Sequence, residues 1–116
     1  MNMFPRRMFI AAALALGAAL PVSGQVLDVS GTYRAEGRNP DGSTYTGSAV
    51  VAQQGRAVQI NWSVGNQTYA GSGIRDGQVI VVNWGQNDPV VYVVMANGEL
   101  HGTWNRGTAL ERLLPQ

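Results

Sequence analysis

The stretch 58–84, VQINWSVGNQTYAGSGIRDGQVIVVNW, decides the fold. Val58, Ile60, Trp62 and Val64 fall on one face and Gln59, Asn61 and Ser63 on the other. Alternation with a period of two belongs to a half-buried strand and not to a helix. Gly65-Asn66 and Asp76-Gly77 read as tight turns, because Gly and Asn tolerate the positive φ that short hairpins require. The stretch is therefore predicted as three antiparallel strands, 57–64, 67–74 and 78–84.

Working outward, Asn39-Pro40-Asp41-Gly42 is a turn in which Pro presets φ at the second position and Gly closes the bend. It separates predicted strands at 30–36 and 43–53, the latter ending at Gln54-Gly55. Gln86-Asn87-Asp88-Pro89 marks another turn before 90–96, and Asn97-Gly98 reads as a two-residue hairpin before 99–104. A last strand is expected at 108–114, although Leu110, Leu113 and Leu114 also fit one helical turn. Eight short strands with turn signals at near-regular spacing describe an all-β sandwich or barrel. Hairpin-short connections favour an up-and-down meander, and closure removes exposed edges. The expected fold is a small antiparallel up-and-down β-barrel of about eight strands, each six to eight residues long.

The first residues stand apart. Arg6 and Arg7 precede an apolar run at 8–22 that is too short for a stable membrane span, and Val22-Ser23-Gly24 resembles a cleavage site. We read 1–24 as a signal peptide, of general secretory or twin-arginine type, and 25–116 as a single domain in the periplasm or outside the cell. Removing 1–24 leaves six Arg, no Lys and seven acidic residues, a net charge of −1. No clustered basic surface suited to nucleic acid follows from that composition. There is no Cys, so neither a disulfide nor a lipoprotein anchor is available. So small a domain needs a well-closed ladder or a second copy of itself.

Tyr45-Thr46-Gly47-Ser48-Ala49-Val50 matches Tyr69-Ala70-Gly71-Ser72-Gly73-Ile74, and Gly31-Thr32-Tyr33 matches Gly102-Thr103-Trp104. An aromatic followed two residues later by Gly suggests a ring lying across the glycine where the sheet bends. Trp62, Trp84 and Trp104 each come late in a predicted strand. With Tyr92 they are the candidate ligand-binding residues, as stacking or anchoring groups. The competing reading, that large rings simply fill a small barrel, is preferred on strand length.

Other chemistry is thin. His101 is the single histidine and is expected to face outward. No metal site or cofactor is expected, since neither a second His nor any Cys is present. Asp41, Asp76 and Asp88 lie in turns, and Asp28, Glu36, Glu99 and Glu111 form no pair that spacing alone brings together. Gly71-Ser72-Gly73 lacks the following helix and the Lys of a phosphate loop. Residues 79–82 and 90–95 are apolar on both faces, so one face lies outside the barrel as a surface for a partner or a homodimer.

Taken together, Asn39-Pro40-Asp41-Gly42-Ser43-x-Tyr45-x-Gly47, Trp62, Tyr69-x-Gly71-x-Gly73, Val82-x-Trp84-Gly85, Val91-Tyr92, Gly98-x-Leu100-x-Gly102-x-Trp104 and the closing Glu111-Arg112-Leu113-Leu114-Pro115 form a recognisable series. It resembles small exported bacterial proteins often labelled fibronectin-binding protein or hypothetical protein, over nearly all of the chain after the signal. Gly31-Thr32-Tyr33 adds a distant likeness to avidin-like and lipocalin-like barrels. The resemblance implies an exported all-β protein with an adhesive or binding role, and it carries no site residues across. The sequence reading is a non-enzymatic binding module for a protein partner or a small apolar or aromatic ligand. Its alternatives are a small enzyme with a shallow site at one barrel end, using Glu99, His101 or Glu111, and a self-associating envelope protein.

Overall fold

The computed structural model describes residues 28–116. The expected signal peptide at 1–24 and its cleavage site lie outside the described residues.

Eight strands follow in order: β1 (Gly31–Arg38), β2 (Thr44–Gln54), β3 (Ala57–Val64), β4 (Gln67–Asp76), β5 (Val79–Asn83), β6 (Val90–Val94), β7 (Leu100–Trp104) and β8 (Ala109–Pro115). Each pairs antiparallel with the next, and β8 pairs back onto β1, so the sheet closes into an up-and-down barrel as expected. In the deciding stretch Val58, Ile60 and Trp62 are buried while Gln59, Asn61 and Ser63 are exposed. One inward face fixes the register, because a slip of one residue would turn every apolar side chain outward.

Strand lengths are less even than expected. β2 has 11 residues and β4 has 10, whereas β5, β6 and β7 have 5 each. The long strands meet at two-residue turns opened by Gly55, Gly65 and Gly77, with φ of 61°, 60° and 61°. A left-handed residue at the first turn position matches the twist of the flanking strands, so pairing runs to the last residue. The second of these turns in the deciding stretch is therefore Gly77-Gln78, not Asp76-Gly77, and Asp76 still pairs with Val79.

One other expectation is corrected. Asn97-Gly98 is not a two-residue turn: the Gly98 amide donates to the Met95 carbonyl (2.9 Å) and the Met95 amide to the Glu99 carbonyl (2.8 Å). This is a three-residue loop closed by a left-handed glycine, and Asn39–Ser43 repeats it with Gly42 in the same role. The strand expected at 108–114 is present, and the helical turn that Leu110, Leu113 and Leu114 also fit does not form. Ala109, Glu111 and Leu113 lie inside, and Leu110 and Arg112 are exposed. A helical turn there would leave β1 and β7 each with an unpaired edge.

Ile60, Ile80, Leu100 and Leu113 are fully buried and fill the middle of the barrel. One end is closed by Arg75, only 3% exposed, whose guanidinium donates to the Gly77 carbonyl (2.9 Å) and to the side-chain oxygens of Gln53 (3.1 Å) and Gln78 (3.2 Å). The opposite end is aromatic and open. On the outside, Ile74, Val79, Val81 and Val93 are exposed on β4 to β6, and Val79 faces Val93 across the ladder. This is the apolar outer face expected from 79–82 and 90–95.

Candidate functional site

Strand direction gathers the aromatics. In an up-and-down barrel the odd strands all run one way, so late residues of odd strands and early residues of even strands meet at one end. Trp62 is late in β3, Trp84 just follows β5 and Trp104 ends β7. Tyr45 and Tyr69 are early in β2 and β4, and Glu111 is early in β8. All six line a cavity of about 280 Å³ at this end.

Glu111 is the floor of this cup and is 7% exposed. Its setting follows from a single row across five strands. Tyr45 pairs with Gly37, Gly37 with Glu111, Glu111 with Gly102, and Gly102 with Tyr92. The two glycines beside Glu111 remove the side chains that would otherwise stand there. An added Cβ on Gly102 would meet the Tyr92 ring and the Val91 carbonyl oxygen at 2.5 Å, and one on Gly37 would fall inside the Tyr45 ring. Each tyrosine thus lies over the glycine of the neighbouring strand and reaches the carboxylate beyond it. The ring-over-glycine device read from the repeats is present, but it works between strands and not within one. Gly47 instead faces the Ser63 carbonyl and Val64, and Gly71 faces Val82 with the Trp62 ring beside it.

The hydrogen bonds around Glu111 have a fixed direction. Tyr45 Oη donates to Oε1 (2.9 Å), and Tyr92 Oη makes a short bond to Oε2. Trp62 Nε1 donates to both Glu111 Oε2 (3.0 Å) and Tyr92 Oη (3.1 Å), and Trp104 Nε1 donates to Tyr45 Oη (3.1 Å). An indole N–H can only donate. Each tyrosine oxygen therefore already receives a proton from a tryptophan, and its own hydroxyl proton points to Glu111. Every donor in the network converges on the carboxylate, the arrangement that suits its ionised form. Burial pushes the Glu111 carboxyl above its ordinary value, and the bonds from Tyr92, Tyr45 and Trp62 pull it back down. Burial, and then the Glu111 charge, hold the Tyr92 and Tyr45 hydroxyls well above the ordinary phenol range. Among the described residues the four ion pairs involve Glu36, Asp88 and Glu99, so no basic side chain pairs with Glu111.

Above the floor the rings meet edge to face. Trp84 is the hub, with centroids 5.7 Å from Trp104, 6.0 Å from Tyr69 and 6.5 Å from Trp62. Tyr45 meets Trp104 at 6.3 Å. Trp84 Nε1 donates to the Asp88 carbonyl (3.0 Å), which fixes its indole against the 84–89 loop.

Of the four residues singled out from the sequence, Trp62, Trp84 and Trp104 line the cup. Trp62 is largely buried, while Trp84 and Trp104 pack on the core and keep part of their surface in the cup. Tyr92 is fully buried beneath it and touches the site only through Glu111 and Trp62. His101 bonds Glu99 at 2.7 Å and neither lines the cup, although His101 shares with Glu111 a second groove that runs past Glu36, Arg38 and Arg112. No group of three or more His, Cys, Asp or Glu among the described residues is placed to hold a metal. The sequence reading missed Tyr45, Tyr69 and the inward aim of Glu111. The signal was there: in the strand expected at 108–114, Glu111 alternates in phase with Ala109 and Leu113.

No family model and no curated protein matches the chain. A solved structure of a redesigned β-barrel matches with a TM-score of 0.55 and 13% identity, covering 76% of this chain and 91% of that one. At that identity the likeness speaks for the barrel fold alone.

Proposed function

We propose that this protein is a non-enzymatic binding module that takes a small ligand into the aromatic cup. The observation that carries the reading is the cup itself. A barrel of this size can be filled by its own side chains, as it is around Ile60, Ile80 and Leu100, yet at one end the packed rings border an open cavity. Aromatic walls with a small number of placed polar groups are what ligand sites share. The export expected from the sequence puts the cup in the periplasm or outside the cell. Tryptophan fluorescence and the three indole N–H resonances, followed against sugars, hydrophobic dyes and short aromatic compounds, test the reading. Saturable shifts of Trp84 and Trp104 are expected, and they should vanish in Trp84→Ala. Indole signals that respond to none of these would count the cup as packing only.

The adhesive role implied by the fibronectin-binding resemblance draws on a different surface. The exposed Ile74, Val79, Val81 and Val93 on β4 to β6 supply an apolar face suited to a protein partner or a second copy. Titration with fibronectin and sedimentation of the protein alone address that reading. Loss of either association in Val81→Asp would assign it to this face.

A further inference from the structure

Resting on the reading of the cup as a ligand site, we propose that its ligand is an organic cation, an alkylated ammonium group seated between Trp84, Trp104 and Tyr69 above the Glu111 carboxylate. The first ground is charge. Glu111 sits at the floor with all its protein hydrogen bonds coming from neutral donors, and no described basic side chain pairs with it. A buried charge with no countercharge is costly, and the barrel keeps it at an inner position that opens on the cup. A cation in the cup supplies the missing partner.

The second ground is the walls. Trp84 stands at 84° to Trp104 and at 68° to Tyr69, and all three rings line the same cavity from different strands. Such a box attracts a cation through the negative faces of the rings. The third ground separates an alkylated ammonium from a primary one. A primary ammonium needs several acceptors, and the cup offers mostly ring surface. The Glu111 oxygens are already occupied by Tyr45, Tyr92 and Trp62, so the carboxylate acts through its field more than as a hydrogen-bond acceptor. The volume, about 280 Å³, is enough to seat such a head group.

The test compares choline with 3,3-dimethylbutan-1-ol, its neutral carbon isostere, by calorimetry and by the indole N–H resonances of the full chain. Choline should bind at least about tenfold tighter than the alcohol. In Glu111→Gln, checked for fold by circular dichroism, that preference should shrink to the part that the ring faces supply. Should the variant fail to fold, the wild-type protein answers alone. The titratable groups bonded to Glu111 are Tyr45 and Tyr92, both held protonated, and Glu36, Arg38, His101 and Arg112 border the second groove that Glu111 reaches, so among the groups that line the cup acidification acts on Glu111. Choline affinity should then fall with pH while the affinity for the alcohol stays level. Equal binding of the two compounds would overturn the cation inference and leave the cup as a ligand site. Binding of neither, together with silence toward dyes and sugars, would overturn both.

Discussion

Tyr45 and Glu111 are hydrogen-bonded at 2.9 Å although the whole of β1 lies between their strands. Neighbouring strands are about 4.8 Å apart, so the phenol has to cross one strand before it meets its partner. Gly37 makes this passage, and Gly102 makes the same one for Tyr92 on the other side of Glu111. A carboxylate that would be a defect in a barrel interior is thereby given donors from both flanks.

Gly102→Ala should be costly. Its methyl group would press on the Tyr92 ring and on the Val91 carbonyl, which is backbone and held in the β6–β7 ladder. Overpacking of this kind destabilises by about 1–3 kcal/mol, and the upper half is expected here because the Glu111 bond is strained as well. Urea unfolding measures it. A variant within about 0.5 kcal/mol of wild type would show that Tyr92 has room to move.

The two tyrosines should differ under truncation. Tyr92→Phe removes a hydroxyl from a fully buried ring and leaves Glu111 Oε2 with Trp62 alone, and about 2–3 kcal/mol should be lost. Tyr45→Phe faces the cup, where water can replace the hydroxyl for both Trp104 and Glu111, so about 1 kcal/mol is expected. Thermal unfolding of the pair checks the ranking. A larger loss for Tyr45→Phe would contradict the placement of the two rings.

The barrel was legible in the sequence because strict alternation at 58–64 and glycine turns report directly on strands and their ends. The odd-strand tryptophans were legible as a set, and strand direction alone would have placed them together. Glu111 was not legible as the floor. Its meaning depends on Gly37 and Gly102 standing opposite it, and that pairing depends on closure between β8 and β1, which local sequence does not encode. The turn at Gly77-Gln78 was misplaced by one residue because Asp76 and Gly77 are both good turn formers. Only pairing of Asp76 with Val79 decides between them.

Stability should respond to pH in two opposed ways. Glu111 is raised above its ordinary 4.5 by burial, so the folded chain holds that proton more tightly than the unfolded chain does. Its contribution is most favourable below 4.5 and declines as pH rises through the raised value. Asp28 and Asp41, each accepting from a serine, and Glu36, beside Arg34 and Arg112, are lowered, so their contribution is present above their ordinary values and is lost in acid. Glu111→Gln should remove the decline on the neutral side and leave the acid loss unchanged. Urea midpoints taken from about pH 3 to about pH 8 read this out, and parallel profiles for the two proteins would refute it.

The far end of the barrel offers a control for all of these. Arg75 closes it through bonds to Gly77, Gln53 and Gln78, none of which lines the cup. Arg75→Ala leaves those acceptors without their charged donor, and about 3 kcal/mol should be lost. Arg75→Lys should recover only part, since one ammonium cannot reproduce a planar fork directed at separate acceptors. In both variants the indole N–H resonances of Trp62 and Trp104 should keep their positions while the protein remains folded. Shifts at those indoles would mean that the two ends of the barrel are coupled through the core, and the effects of the cup variants would then have to be read as those of one cooperative unit.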